Sequence, residues 1–293
     1  MSQLSKQDIL KEIIKCGKSP EYFLRNYVKI SHPMKGTIPF KTYPFQDDLL
    51  SDFNEHRFNV ILKARQLGIS TIAAGYIAWM IMFHRDKNVL VMATKFGTAT
   101  NLVRKVKAIV KSVPDHMTIA SISIDNRSSF ELSNGSQIKA TSTSADAGRS
   151  EALSLLVIDE AAHVDNLDEL WTGLYSTLST GGRCIALSTP NGVGNWFHQT
   201  CTDSLEEKND FHPTVLPWDV HPDRADVARG DGRDYSAFHV IDVTNMVQVA
   251  EYQGKLDLDH FARVLHDAGR EYGNCMLVVE NNNIGYSVLT KLI

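Results

Sequence analysis

Four apolar blocks, residues 58–62, 88–93, 153–158 and 183–188, constrain this chain more than anything else in it. None alternates apolar with polar positions along its length, so each reads as a strand buried on both faces. Between them, residues 69–83, 99–110 and 167–178 carry helical patterns. Strands alternating with helices predict an α/β fold, with a mainly parallel sheet flanked by helices. A hairpin interrupts the alternation where residues 129–132 and 137–140 flank Ser133-Asn134-Gly135-Ser136, because Asn-Gly accepts the positive backbone angles of a tight turn. Two short amphipathic helices are expected before residue 30, the second starting at Ser19-Pro20, and then a polar loop as far as Tyr43-Pro44.

Composition narrows the function classes. Of the 293 residues, 43% are hydrophobic and 22% charged, as in ordinary globular proteins, and the net charge of −4 excludes a chain that coats nucleic acid by bulk charge. A local basic groove remains compatible with it. The cysteines Cys16, Cys184, Cys201 and Cys275 form no CxxC pair, so reduced cytosolic thiols and no zinc site are expected. No signal peptide is visible. The longest apolar stretch, residues 69–83, contains Ser70, Thr71 and Gly75 and is too short to span a bilayer, so no membrane role is expected.

Three motifs carry chemistry. The block ending at Leu62 runs into Lys63-Ala64-Arg65-Gln66-Leu67-Gly68-Ile69-Ser70-Thr71. A phosphate-binding loop of the form GxxxxGK[ST] needs backbone amides around phosphates, a cation for the outer phosphates and a hydroxyl for magnesium. Gly68 and Ser70 fit that pattern, while Lys63 stands at the first-glycine position and Ile69 at the lysine position. Lys63 and Arg65 still bracket the turn with cations. A plain strand-to-helix turn through Gly68 is the other reading of this segment alone. The second motif, Leu155-Leu156-Val157-Ile158-Asp159-Glu160-Ala161-Ala162-His163, is an apolar strand ending in two acids. At a strand tip such a pair fits a magnesium-holding Asp159 followed by a water-polarising Glu160, a strand ending in a solvated acidic turn being the other reading. In the third, Ala186-Leu187-Ser188-Thr189-Pro190-Asn191-Gly192, a buried strand ends in hydroxyls, where a γ-phosphate would be sensed. By itself it is equally a strand-to-turn signal.

These motifs, in this order, resemble the large terminase subunit of tailed bacteriophages, from about Tyr43 onward. The resemblance implies a P-loop NTPase of the additional-strand type, using ATP and Mg2+. By that resemblance Arg65 is a finger on the γ-phosphate and Lys63 a displaced loop lysine. Gln66, Gly68 and Thr71 belong to the nucleotide-binding loop, and Ser70 and Asp159 hold the metal. Glu160 is the base, Ser188 and Thr189 the coupling motif, and Phe45 and Gln46 the adenine segment. Gln46 reads equally well as an ordinary helix-start residue. Arg149 fits either a phosphate or DNA contact or a surface arginine, and Arg104, Lys105, Lys107 and Lys111 either a DNA-facing stretch or a solvated helix face. The implied partners are double-stranded viral DNA, a portal protein, a small terminase subunit and further copies of the chain in a ring on the portal. The implied place is the cytoplasm of the infected bacterial host, at the procapsid.

The resemblance extends to Ala225-Asp226-Val227-Ala228-Arg229-Gly230-Asp231-Gly232-Arg233-Asp234 and Leu277-Val278-Val279-Glu280. These look like the start of an RNase H-like nuclease that cuts concatemeric DNA with two Mg2+ or Mn2+ ions. Asp226, Asp234 and Glu280 are its expected metal ligands, and Asp226 and Glu280 its catalytic acids. A solvated acidic turn is the other reading of Asp226, Asp231 and Asp234. Strands at 235–241, 247–252 and 275–279 and a helix at 258–272 are expected in this part. The family's further downstream aspartate and its interdomain segment have no counterpart here, so the expected organisation is a helical segment 1–42, an ATPase domain 43–220 and a partial nuclease domain 225–293, internally deleted, truncated and without cleavage activity. A helicase-like P-loop ATPase and a catalytically dead assembly or portal-binding protein are the alternatives.

Overall fold

A computed structural model of the chain describes residues 5–32, 36–143, 151–217, 220–221, 236–242, 247–254 and 258–272. Its first two helices, α1 (Lys6–Lys18) and α2 (Pro20–Tyr27), begin where serines can cap them. Ser5 accepts the Asp8 amide and Ser19 the Tyr22 amide, each replacing a partner that a helix start lacks. The expected polar loop instead contains a small hairpin of β1 (Lys29–His32) and β2 (Gly36–Pro39). After it, α3 (Pro44–Glu55) starts with Pro44 in its first turn, and the Gln46 side chain accepts the Tyr43 amide at 3.1 Å.

The central order is β3 (Phe58–Lys63), α4 (Ile69–Phe83), β4 (Asn88–Ala93), α5 (Phe96–Ser112), β5 (Ile122–Asp125), β6 (Ser129–Leu132), β7 (Gln137–Thr141), β8 (Leu155–Asp159), α6 (Leu167–Thr177), β9 (Arg183–Ser188), α7 (Trp196–Leu205) and β10 (Phe211–Leu216). One eight-stranded sheet runs β10-β3-β9-β8-β4-β7-β6-β5. The six strands from β10 to β7 are parallel, and β6 and β5 are antiparallel. The fold is therefore α/β with a mainly parallel sheet, as the sequence predicts. The strands β5 and β10, the helix α7 and the β1–β2 hairpin are additions to the sequence-based expectation.

Strand pleating sorts the core. Phe58, Val60, Leu90, Met92, Leu156, Ile158, Cys184 and Ala186 face α6 and α7 through Leu167, Leu170, Leu174, Trp196, Phe197 and Cys201. The buried residues of α4 and α5 lie outside that cluster and pack against one another, with α5 on β4 and β7. Residues 69 and 72–82 of α4 are all buried, as expected of a helix apolar all round. Its Tyr76 hydroxyl donates to the Phe53 carbonyl at 2.9 Å and its Trp79 indole to the Cys16 carbonyl at 2.8 Å. Among the described residues no helix is long and apolar enough to cross a membrane.

The chain divides into two compact units, Met1–Leu216 and Pro217–Ile293. In the second, β11 (Ser236–Asp242) pairs antiparallel with β12 (Val247–Gly254), with a bulge between Val240 and Ile241. The helix α8 (Leu258–Glu271) buries Phe261, Ala262 and Leu265, and the rings of Phe238, Tyr252 and Phe261 meet. These elements match the expected ranges to within two residues. The expected strand 275–279, with Arg149, Asp226, Asp231, Asp234 and Glu280, lies outside the described residues.

Candidate functional site

The loop between β3 and α4 is fixed by alternating anchors. Leu67 and Ile69 are 2% and 1% exposed, so both side chains are core residues. Arg65 and Gln66 point outward, and Gln66 holds a positive φ of 60°. Gly68 sits at φ 76°, and a Cβ there would lie 2.8 Å from the Gln46 amide nitrogen. Only glycine meets both demands at once. Gln46 is buried, and its amide donates to the Leu67 carbonyl at 2.9 Å while its oxygen accepts the Tyr43 amide. It braces the loop from behind. Phe45 is buried and stacks on Tyr43, the rings 5.8 Å apart and parallel to within 6°. No side chain caps α4, so its first-turn amides face the loop.

Parallel pairing brings the acid motif alongside. Asp159, the last residue of β8, is 6% exposed, and Ser70 Oγ donates to its Oδ1 at 3.4 Å. Burial raises the Asp159 carboxyl above the usual carboxylate range; Lys63 and the Ser70 hydrogen bond pull it back. Lys63 is the mirror case, its ammonium lowered by burial and supported by Asp159 and Glu160. Two hard oxygens side by side, one on a carboxyl that burial makes costly to ionise, suit a small hard dication. Glu160 is exposed in left-handed backbone at φ 57°, and its amide donates to Asp159 Oδ1 at 3.0 Å. Its carboxylate is close enough to act on both Lys63 and Asp159.

The third motif is tied to the second. Ser188 is fully buried; its hydroxyl accepts the Ala162 amide at 3.1 Å and donates to the Thr189 carbonyl at 2.7 Å. Asn191 donates to the Ala162 carbonyl at 3.0 Å, and Thr189 Oγ1 lies 3.4 Å from His163 Nε2. Thr189 thus presents its hydroxyl at the edge, and Ser188 acts as a link behind it.

Sequence reasoning groups Arg104, Lys105, Lys107 and Lys111 as one cationic stretch, but the structure divides them. Lys107 and Lys111 both pair with Asp125, at 3.0 and 2.6 Å. Arg104 and Lys107 join Lys95 and Arg127 in lining a cavity of about 430 Å³ at the start of α5. Lys105 alone turns toward the loop, its Nζ 3.4 Å from Thr71 Oγ1. Thr94 Oγ1, just past the end of β4, is buried without a partner among the described residues. Neither Lys105 nor Thr94 carries a motif signal; only the packing of α5 on α4 reveals the first.

Elsewhere, Asp52, His56 and His212 bring three ligand-type atoms within 4.8 Å of one another. The two imidazoles, however, stack 3.8 Å apart and parallel to within 1°. Parallel planes so separated cannot both contain one ion, so this arrangement is no metal site. It joins α3 to β10, with Asp52 also accepting from Thr214 at 3.3 Å. Cys16, Cys184 and Cys201 are buried free thiols.

One strand, β9, stands between the loop-bearing β3 and the acid-bearing β8, which is the sheet order of additional-strand P-loop NTPases. Residues 60–257 match the family described as terminase large subunit, T4likevirus-type, N-terminal. That span is more than half of the sequence, and the chain belongs to the terminase large subunit family. The fold is similar to the large terminase ATPase domain of Thermus phage P74-26, with a TM-score of 0.53 and 19% identity over 63% of this chain and 85% of that one. It is also similar to the large terminase of bacteriophage HK97, with a TM-score of 0.53 and 17% identity over 72% of this chain. The match spans 45% of the HK97 chain, less than half its length.

Proposed function

We propose that this chain is the ATP-hydrolysing motor subunit that drives viral double-stranded DNA into the capsid. The observation that carries the reading is the meeting of Ser70 and Asp159 at 3.4 Å, beneath an uncapped helix start and beside an exposed Glu160. The first-turn amides of α4 and the Lys63 ammonium bind the phosphate chain, and Phe45 and Gln46 take the adenine side. Mg2+, held by Ser70 and Asp159, supplies charge neutralisation on the phosphates when bound. Glu160 orients the attacking water and accepts its proton, and Arg65 offsets negative charge on the γ-phosphate as it departs. Thr189 reads the presence of that phosphate, and Ser188 passes its position to Ala162 behind Glu160.

The cavity lined by Lys95, Arg104, Lys107 and Arg127 gives the DNA backbone a local basic seat on a chain of net negative charge. Domains 43–220 for the motor and 225–293 for a nuclease, a portal-bound ring, a small subunit and work at the procapsid in the host cytoplasm complete the reading. Magnesium-dependent release of phosphate from ATP by the purified chain tests it. Activity lost in Glu160→Gln and Arg65→Ala, with folding retained, supports the motor, whereas a wild-type chain that binds no nucleotide sinks it. The buried Ile69 favours one second reading, an assembly protein without turnover, which the same assay would reveal. Nuclease activity rests on Asp226, Asp234 and Glu280, and nicking of plasmid DNA with Mn2+, abolished in Asp226→Ala, is its measurement.

A further inference from the structure

An ordinary phosphate loop places one lysine at the start of its helix; here that position is Ile69, which is sealed in the core. Lys63 enters from the strand side. On the helix side, Lys105 reaches across from α5 to the first turn of α4, its ammonium 3.4 Å from the Thr71 hydroxyl. Lys107 and Lys111 on the same helix are satisfied by Asp125, but Lys105 makes no ion pair among the described residues. The residue as a whole is exposed, yet its ammonium lies among enough protein atoms for burial to lower its pKa, with Asp159 opposing and Arg104 reinforcing that shift. Lys63 and Lys105 also repel one another. Two ammonium groups, Lys63 and Lys105, with the guanidinium groups of Arg65 and Arg104 adding positive charge, thus face the carboxylates of Asp159 and Glu160, next to a helix start whose amides no side chain caps. Among the described residues such a site carries more positive charge than its two acids balance, and a polyphosphate would balance it.

We infer that Lys105 is a second phosphate-binding residue, contacting the phosphate chain of the nucleotide from α5 and, with Lys63, replacing the cation that Ile69 cannot supply. This rests on the ATP-hydrolysis reading above. The test uses the 293-residue chain, a fluorescent ATP analogue for affinity and MgATP turnover for kinetics. Lys105→Ala and the similarly shaped, uncharged Lys105→Met should both weaken ATP binding and raise KM about ten-fold. Their kcat should fall far less than in Arg65→Ala, and their thermal midpoint should be equal to or above wild type. Lys105→Arg should retain most of the affinity, and Lys111→Ala should match wild type. Affinity within two-fold of wild type in Lys105→Met overturns this inference alone, since a packing role would survive that change and a charge would not. A wild-type chain that binds no ATP overturns the hydrolysis reading, and this one with it.

Discussion

Three residues of the site hold conformations or protonation states that an isolated peptide would avoid. Glu160 and Gln66 sit in left-handed backbone, and Asp159 is a carboxyl that burial disfavours as an anion. For Asp159 the folded pKa exceeds the unfolded value. Its ionisation therefore begins to cost stability as pH rises through 3.8, and the cost is complete above the raised folded value. Asp159→Asn should accordingly melt higher than wild type at pH 7 without ligand and lose the stabilisation that MgATP gives; thermal unfolding with and without MgATP reads both. Glu160→Gln should keep nucleotide affinity and lose at least about 100-fold in turnover, measured by phosphate release. Gly68→Ala should lose about 1–2 kcal/mol from its backbone alone, and more from the collision with Gln46, in denaturant unfolding.

Among the elements, those with long unbroken apolar patterns were legible from sequence almost to the residue. The strand β4, the helix α4 and the strand β9 fall where the pattern puts them, because burial on both sides leaves no polar register to confuse. β10 was not legible. It is an edge strand with Pro213 inside it, and only Phe211 and Leu216 are buried. The β1–β2 hairpin was hidden for a similar reason, having little apolar content of its own. Within the site, the strand tips announced Asp159 and Glu160. Lys105 lies in the polar stripe of α5, and only the contact between two helices shows that this stripe overlooks the loop. Burial of the first α4 residue explains Ile69. Introducing lysine there should lower the thermal midpoint and fail to restore turnover to Lys63→Ala, because position 69 faces core apolar side chains. A rescued activity would show that the loop can turn that side chain outward.

For the molecule as a whole, the unit Met1–Leu216 contains every described residue of the proposed ATPase site. A chain ended after residue 216 should therefore fold and retain MgATP-dependent stabilisation, of about 2.7 kcal/mol at a ligand concentration of 100 Kd. Calorimetry with and without MgATP decides this, and an unfolded product would show that the site depends on the second unit. Through the first unit runs α4, a rod about 22 Å long whose first turn meets the loop and whose far part carries Trp79, hydrogen-bonded to the Cys16 carbonyl of α1. Its residues 72–82 are all buried, so a shift at its first turn would have to move the core packed around it. An environment-sensitive dye at the exposed Leu10 position should therefore report a shift of α4 when MgATP binds, and unchanged emission would show that α1 does not follow α4.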